Sequence, residues 1–181
     1  MASCQQYLSP HLQGQIVSGF CKPYPHLNLG ITSNKENLVP SDCKLTIVVR
    51  NSSDPTQKWV IVETESNNDN DKNAFASVNA STGHAICAKD RIITLESSES
   101  TVVVGYWHVV VTEYKVDNVD KSVLWTLGEE IGDGFKNLIS ADGRFWTLES
   151  VDQGIKIMLR TSNGQDHQLG KFLPLKDYHI I

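Results

Sequence analysis

The stretch Trp59–Glu65, WVIVETE, reads almost like Trp107–Glu113, WHVVVTE. Each sets β-branched residues beside an aromatic one, a composition that fits a pleated, half-buried strand. A second pair repeats the pattern: Ile93–Ser97, ITLES, is echoed by Trp146–Ser150, WTLES. The members of each pair stand about fifty residues apart, too long a period for a two-helix solenoid repeat and the right length for a four-strand unit. Three such units fill the 181 residues. The reading is therefore all-β, one domain over 1–181, with quasi-repeats near 28–90, 91–140 and 141–181. Trp59–Glu65 and Trp107–Glu113 are expected to be equivalent strands under a pseudo-threefold rotation.

Outward from these stretches, the apolar runs stay short, β-rich and bounded by turn residues, and helical periodicity is missing. Strands are predicted at Lys44–Arg50, Lys58–Glu63, Arg91–Glu96, Thr101–Thr112, Val123–Leu127, Arg144–Glu149, Ile155–Arg160 and Lys171–Leu175. Gly105 is expected to break the long run Thr101–Thr112 or to mark a bulge. Asp142-Gly143 and Asn163-Gly164 read as tight hairpin turns. Residues 1–41, with Pro10, Pro23, Pro25 and Pro40, read as a largely irregular arm. Residues 64–85 read as a long polar loop, of the kind that in compact domains is usually functional or disordered.

The net charge is −5 and the pI about 5.6. An acidic chain without a Lys/Arg run is a poor partner for nucleic acid. No apolar stretch reaches the ~20 residues of a membrane helix. The start, Met1-Ala-Ser-Cys-Gln-Gln, lacks a charged segment followed by an apolar one, so no secretory signal is visible. The expected compartment is secreted or vacuolar if a signal was removed, and cytoplasmic otherwise. Two sequons, Asn51-Ser-Ser53 and Asn79-Ala-Ser81, matter only in the first case. Cys4, Cys21, Cys43 and Cys87 form no CxxC pair and lie at no zinc spacing to His, so no metal or other cofactor is expected. The chain contains no GxSxG, P-loop or GxGxxG motif. Glu129, Glu130 and Asp133 beside a glycine turn have no accompanying nucleophile motif, so no enzymatic activity is expected. Gln57-Lys-Trp59 is a Gln-x-Trp tripeptide like that of trefoil lectins, but neither Trp107 nor Trp146 repeats it. Trp59, Trp107 and Trp146 are accordingly read as core aromatics.

Four segments resemble the Kunitz-type soybean trypsin inhibitor family of plants. They are Asp42–Val49 (DCKLTIVV), Trp107–Val111 followed by Ser122–Gly128 (SVLWTLG), Arg144–Glu149 (RFWTLE) with Gly154–Leu159 (GIKIML), and Leu169–Asp177 (LGKFLPLKD). The resemblance implies a β-trefoil fold and a monomeric protein that inhibits a serine or cysteine protease by inserting an exposed loop. By position, that loop falls at Ser81, Thr82, Gly83, His84, Ala85 and Ile86. The family's disulfide partner for Cys43 is missing, since Val102–Tyr106 holds no Cys, so Cys43 is expected to be free. Two other readings stay open: a carbohydrate-binding trefoil lectin, and a storage or defence protein without inhibitory activity.

Overall fold

A computed structural model describes residues 15–21, 27–33, 43–49, 51, 53–64, 74–96, 101–148, 157–164 and 168–174. For most of the first three strands and the last one, only the backbone is described. Twelve strands follow in chain order among the described residues. They are β1 Gln15–Cys21, β2 Leu27–Ser33, β3 Cys43–Val49 and β4 Trp59–Glu63, then β5 Phe75–Asn79, β6 His84–Glu96, β7 Thr101–Glu113 and β8 Trp125–Glu130. The last four are β9 Lys136–Ser140, β10 Phe145–Leu148, β11 Ile157–Arg160 and β12 Leu169–Pro174.

The pairings decide the architecture. β1 pairs with β4, β4 with β5, β5 with β8, β8 with β9, β9 with β12, and β12 with β1 again. These six strands close a ring, which removes the free edges that short strands otherwise expose. The other six form three hairpins: β2–β3, β6–β7 and β10–β11. A six-stranded barrel with three hairpins, four strands to a unit, is a β-trefoil.

The units are β1–β4, β5–β8 and β9–β12, so the repeat boundaries lie earlier than the sequence reading set them. The sequence reading is corrected at further points. The supposed arm contributes β1 and β2, because β1 is needed to close the ring between β4 and β12. The supposed 64–85 loop contains β5 and the start of β6; residues 65–73 lie outside the described residues. Gly105 neither breaks nor bulges β7: it sits in register opposite Ile92 in an uninterrupted ladder from His84↔Glu113 to Glu96↔Thr101. Asn163-Gly164 is not a hairpin turn, since β11 pairs with β10 and β7 while β12 pairs with β1 and β9.

The two WxVV stretches are not equivalent either. Trp59 pairs with Asn79 at the end of β5, Trp125 with Ser140 at the end of β9, and Gly170 with Cys21 at the end of β1. The threefold therefore relates Trp59, Trp125 and Gly170, and it places β4 with β8 and β12. Trp107 lies on a hairpin strand, the third of its unit.

Local chemistry supports this equivalence. Asp54 accepts a hydrogen bond from the Thr56 amide at 2.9 Å and caps the 3-10 turn Pro55–Gln57. Asp120 accepts from the Ser122 amide at 2.8 Å and caps the turn Lys121–Val123 in the same way. Each turn delivers a tryptophan two residues later into the core. Asn79 is buried, its amide donating to the Thr56 carbonyl and its oxygen accepting from the Ser81 and Thr82 amides, so the second sequon is consumed by a turn.

The core joins all three units: Trp59, Ile86, Trp125, Trp146, Ile157 and Leu159 belong to one cluster. Trp125 and Trp146 meet at a tilt, with ring centroids 5.7 Å apart. The indole N–H of Trp125 donates to the Ile86 carbonyl at 3.0 Å. Trp107 is the exception among the predicted core tryptophans. It is half-buried, and Arg144, tied to Asp142 at 2.9 Å, stacks on its ring 3.9 Å from the centroid.

The Asp142-Gly143 turn forms as predicted: the Gly143 amide donates to the Ser140 carbonyl, with Gly143 at φ +79. A Cβ built at Gly143 would meet nothing within 4 Å, so the cost of Gly143→Ala comes from backbone conformation alone. The expected loss is about 1 kcal/mol, measured by urea denaturation.

Candidate functional site

The connection between the third and fourth strand differs among the three units. In the first, the side-chain oxygen of Gln57 accepts from the Asn51 amide at 2.9 Å. In the third, the side-chain oxygen of Gln168 accepts from the Asn163 amide at 2.9 Å, and its nitrogen donates to Thr147 and to the Thr161 carbonyl. Both glutamines are buried, and each ties its connection from within. Register places Val123 at the same position of the second unit, two residues before Trp125. A valine cannot make such bonds; it packs instead against Ala76, Val78, Ala85 and Cys87. The connection in the second unit, 114–124, is also the longest of the three.

A cleft of about 280 Å³ opens there, between the base of the β6–β7 hairpin and the β7–β8 connection. Cys87 of β6 and Thr112 and Glu113 at the end of β7 line one side. Tyr114, Lys115, Asn118, Asp120 and Ser122 line the other. The Cys87 thiol is free, buried and within hydrogen-bond distance of Ser122 Oγ at 3.2 Å. Burial pushes that thiol up, away from the reactive thiolate. The side chains of Cys4, Cys21 and Cys43 lie outside the described residues.

Bonds from the Ser122 hydroxyl and amide hold the Asp120 carboxyl below the usual carboxylate range, so it is ionised at neutral pH. Burial pushes the Tyr114 hydroxyl up, so it stays protonated. Carboxylates accept, and Tyr114 and Ser122 both donate and accept, which suits a ligand rich in hydroxyl groups. Among the described residues, no group of three or more His, Cys, Asp or Glu is placed to hold a metal ion. Among the same residues, no helix is long and apolar enough to cross a membrane.

The six residues singled out from the sequence form the β5–β6 turn and the start of β6. Ser81, His84, Ala85 and Ile86 are buried, and Thr82 and Gly83 half-buried. Gly83 has φ +71 and donates its amide to the Asn79 carbonyl. Its own carbonyl accepts from the Tyr114 amide at 3.3 Å, so the turn braces the cleft from behind. The cleft residues themselves were missed in the sequence. The signal that pointed to them was the Gln-x-Trp spacing, tested at Trp107 and Trp146 rather than at Trp125 and Gly170.

His84 faces Glu113 across the β6–β7 ladder. Burial holds its imidazole below the ordinary value, outweighing the Glu113 charge, which raises it. The unfolded chain then binds more protons than the folded one once pH falls below about 6.5. Stability should be full above that pH and decline as pH drops toward the lowered folded value. Denaturation at pH 7.5 and pH 5.5 checks this, and His84→Gln should flatten the difference.

Comparison with known proteins gives three findings. No family model matches the chain. The ricin B-like lectin EULS3 of Arabidopsis thaliana is 30% identical over 171 residues, covering 87% of this chain and 47% of the lectin. The chain thus spans about half the length of the curated relative it matches. Among the solved structures similar in fold, two illustrate the match. The designed threefold-symmetric protein ThreeFoil matches at TM-score 0.59 and 19% identity, over 88% of this chain and 99% of its own. The Polyporus squamosus lectin matches at TM-score 0.59 and 15% identity, over 90% of this chain and 50% of its own. These findings correct the resemblance to Kunitz-type inhibitors and, with it, the expectation of a protease as partner. The described parts of the segments that suggested that family fall mostly on strands of a β-trefoil, and short β-rich strands around a core Trp look alike in unrelated trefoils. The fold is a β-trefoil, and the sequence similarity across most of the chain is to a ricin B-like lectin.

Proposed function

We propose that the chain is a carbohydrate-binding trefoil that performs no chemistry and holds its ligand in the cleft of the second unit. The single observation that carries the reading is the coincidence of two facts. The sequence similarity runs to a lectin over most of the chain, and the unit whose connection lacks the buried glutamine opens a cleft lined by hydroxyl, amide and carboxylate groups. A volume near 280 Å³ is at the small end for ligand sites and suits one or two sugar rings. Asp120 is held by its bonds to Ser122, so little ordering entropy remains to be lost when a hydroxyl donates to it. Tyr114 offers a ring against which the apolar face of a sugar can lie, and the ring is itself packed against the Cys87 and Val123 cluster.

The test is direct binding of the purified chain to a panel of immobilised glycans, followed by calorimetric titration with the best of them. Saturable binding with one site per chain in this cleft is the expected result. Absence of binding across the panel would favour a storage or defence protein without a ligand.

A further inference from the structure

The charge around the cleft is uneven. Glu113 at the end of β7 and Asp120 of the β7–β8 connection both line it, with Lys115 as the cation of the lining. The obvious counter-charge for Glu113 would be His84, directly opposite it on β6. Burial disfavours the charged form of that imidazole, so it is a weak counter-charge for Glu113 at neutral pH. Asp120 is already bonded to Ser122 and capped into the turn, so it cannot swing away from an approaching anion. Two carboxylates therefore face the same small volume, on a chain of net charge −5. The other ionisable groups nearby alternate in sign: Lys89 and Asp90 on β6, and Asp117 and Lys121 in the connection, all exposed.

We infer that the cleft takes neutral saccharides and rejects their carboxylated counterparts, with Glu113 and Asp120 as the residues that set this selectivity. The physical basis is twofold. A carboxylate accepts hydrogen bonds from sugar hydroxyls and strengthens them by its charge. A ligand carboxylate in the same volume meets two carboxylates against the one ammonium of Lys115, and like-charge juxtaposition is a common device for excluding wrong partners. The Polyporus squamosus lectin, half of which matches this fold, was solved bound to the sialylated epitope Neu5Aca2-6Galb1-4GlcNAc. Any exclusion must come from the residues of this cleft. The inference rests on the carbohydrate-binding reading above.

The experiment titrates the whole chain with a set of neutral oligosaccharides and their carboxylated counterparts, the pair Galβ1-4GlcNAc and Neu5Acα2-6Galβ1-4GlcNAc among them. At low salt the neutral member of each bound pair should bind about tenfold more tightly, and the gap should shrink as added salt screens the cleft. Glu113→Gln, whose side chain keeps its size, should narrow the gap from both sides, weakening the neutral glycan slightly and strengthening its carboxylated counterpart. Equal binding of both members, or tighter binding of the acidic one, overturns the selectivity and leaves the carbohydrate reading intact. A gap that Glu113→Gln and Asp120→Asn both leave unchanged overturns the assignment to these residues. Binding of neither kind of glycan overturns the carbohydrate reading and this inference together.

Discussion

Trp125→Ala is expected to remove about 3–5 kcal/mol of folding stability, the usual range for deleting a large buried aromatic. The residue is only 1% exposed. It contacts Trp146 of the third unit and belongs to the cluster that also holds Trp59 of the first. Its loss therefore opens a cavity where the three units meet, a place that cannot collapse without moving barrel strands. It also leaves the Ile86 carbonyl without its indole donor. Trp125→Phe separates the two contributions: it keeps most of the packing and removes the hydrogen bond, so it should cost less than the alanine variant. Urea denaturation followed by fluorescence or circular dichroism measures both. A loss below about 1 kcal/mol for Trp125→Ala would contradict its place at the junction of the core.

Tyr114→Ala is expected to weaken glycan binding by at least tenfold, or about 1.4 kcal/mol, since it removes the aromatic wall of the cleft. The ring also packs against the buried cluster that contains Cys87 and Val123, so some stability is lost as well. Tyr114→Phe keeps the ring and deletes the hydroxyl; it should retain most of the stability and reveal what the hydroxyl contributes to affinity. Asp120→Asn, which keeps an oxygen to cap the turn, should fold normally and bind less tightly, because a neutral amide accepts a weaker hydrogen bond than a carboxylate. Calorimetric titration beside a denaturation curve distinguishes a binding defect from a folding defect. If Tyr114→Phe and Asp120→Asn both bind like the parent chain, the ligand is held elsewhere on the trefoil.

The sequence came nearest to this site through Gln57-Lys-Trp59. Its counterparts are Val123-Leu-Trp125 and Gln168-Leu-Gly170, each of which departs from the tripeptide at one end. Trp107 drew the comparison instead, because its flanking residues match those of Trp59 more closely than those of Trp125 do. Strand pairing settles the matter, since Trp59 and Trp125 both stand opposite the last residue of a following barrel strand. A local match of composition reports that two segments are both strands, whereas their equivalence depends on the edges they pair with. In the same way, the small and uncharged composition of Ser81–Ile86 suggested an exposed loop. Those residues instead turn tightly at Gly83 and enter the core, where Ile86 is fully buried.

Properties that depend on neighbours in the chain were decided by the sequence itself. These are the all-β class, the four-strand repeat, the Asp142-Gly143 turn, and the burial of Trp59 and Trp146. Alternation, turn chemistry and aromatic content act over a few residues, so they are legible without knowing the fold. The tertiary structure alone decided that β1 closes the ring from within the Pro-containing arm. It also decided which strands the threefold relates, and where a cleft remains. Each of these follows from contacts between residues far apart in the chain. The open connection in the second unit is the clearest case: a valine in place of glutamine reads as an ordinary apolar residue until the barrel shows which two hydrogen-bonded glutamines it replaces.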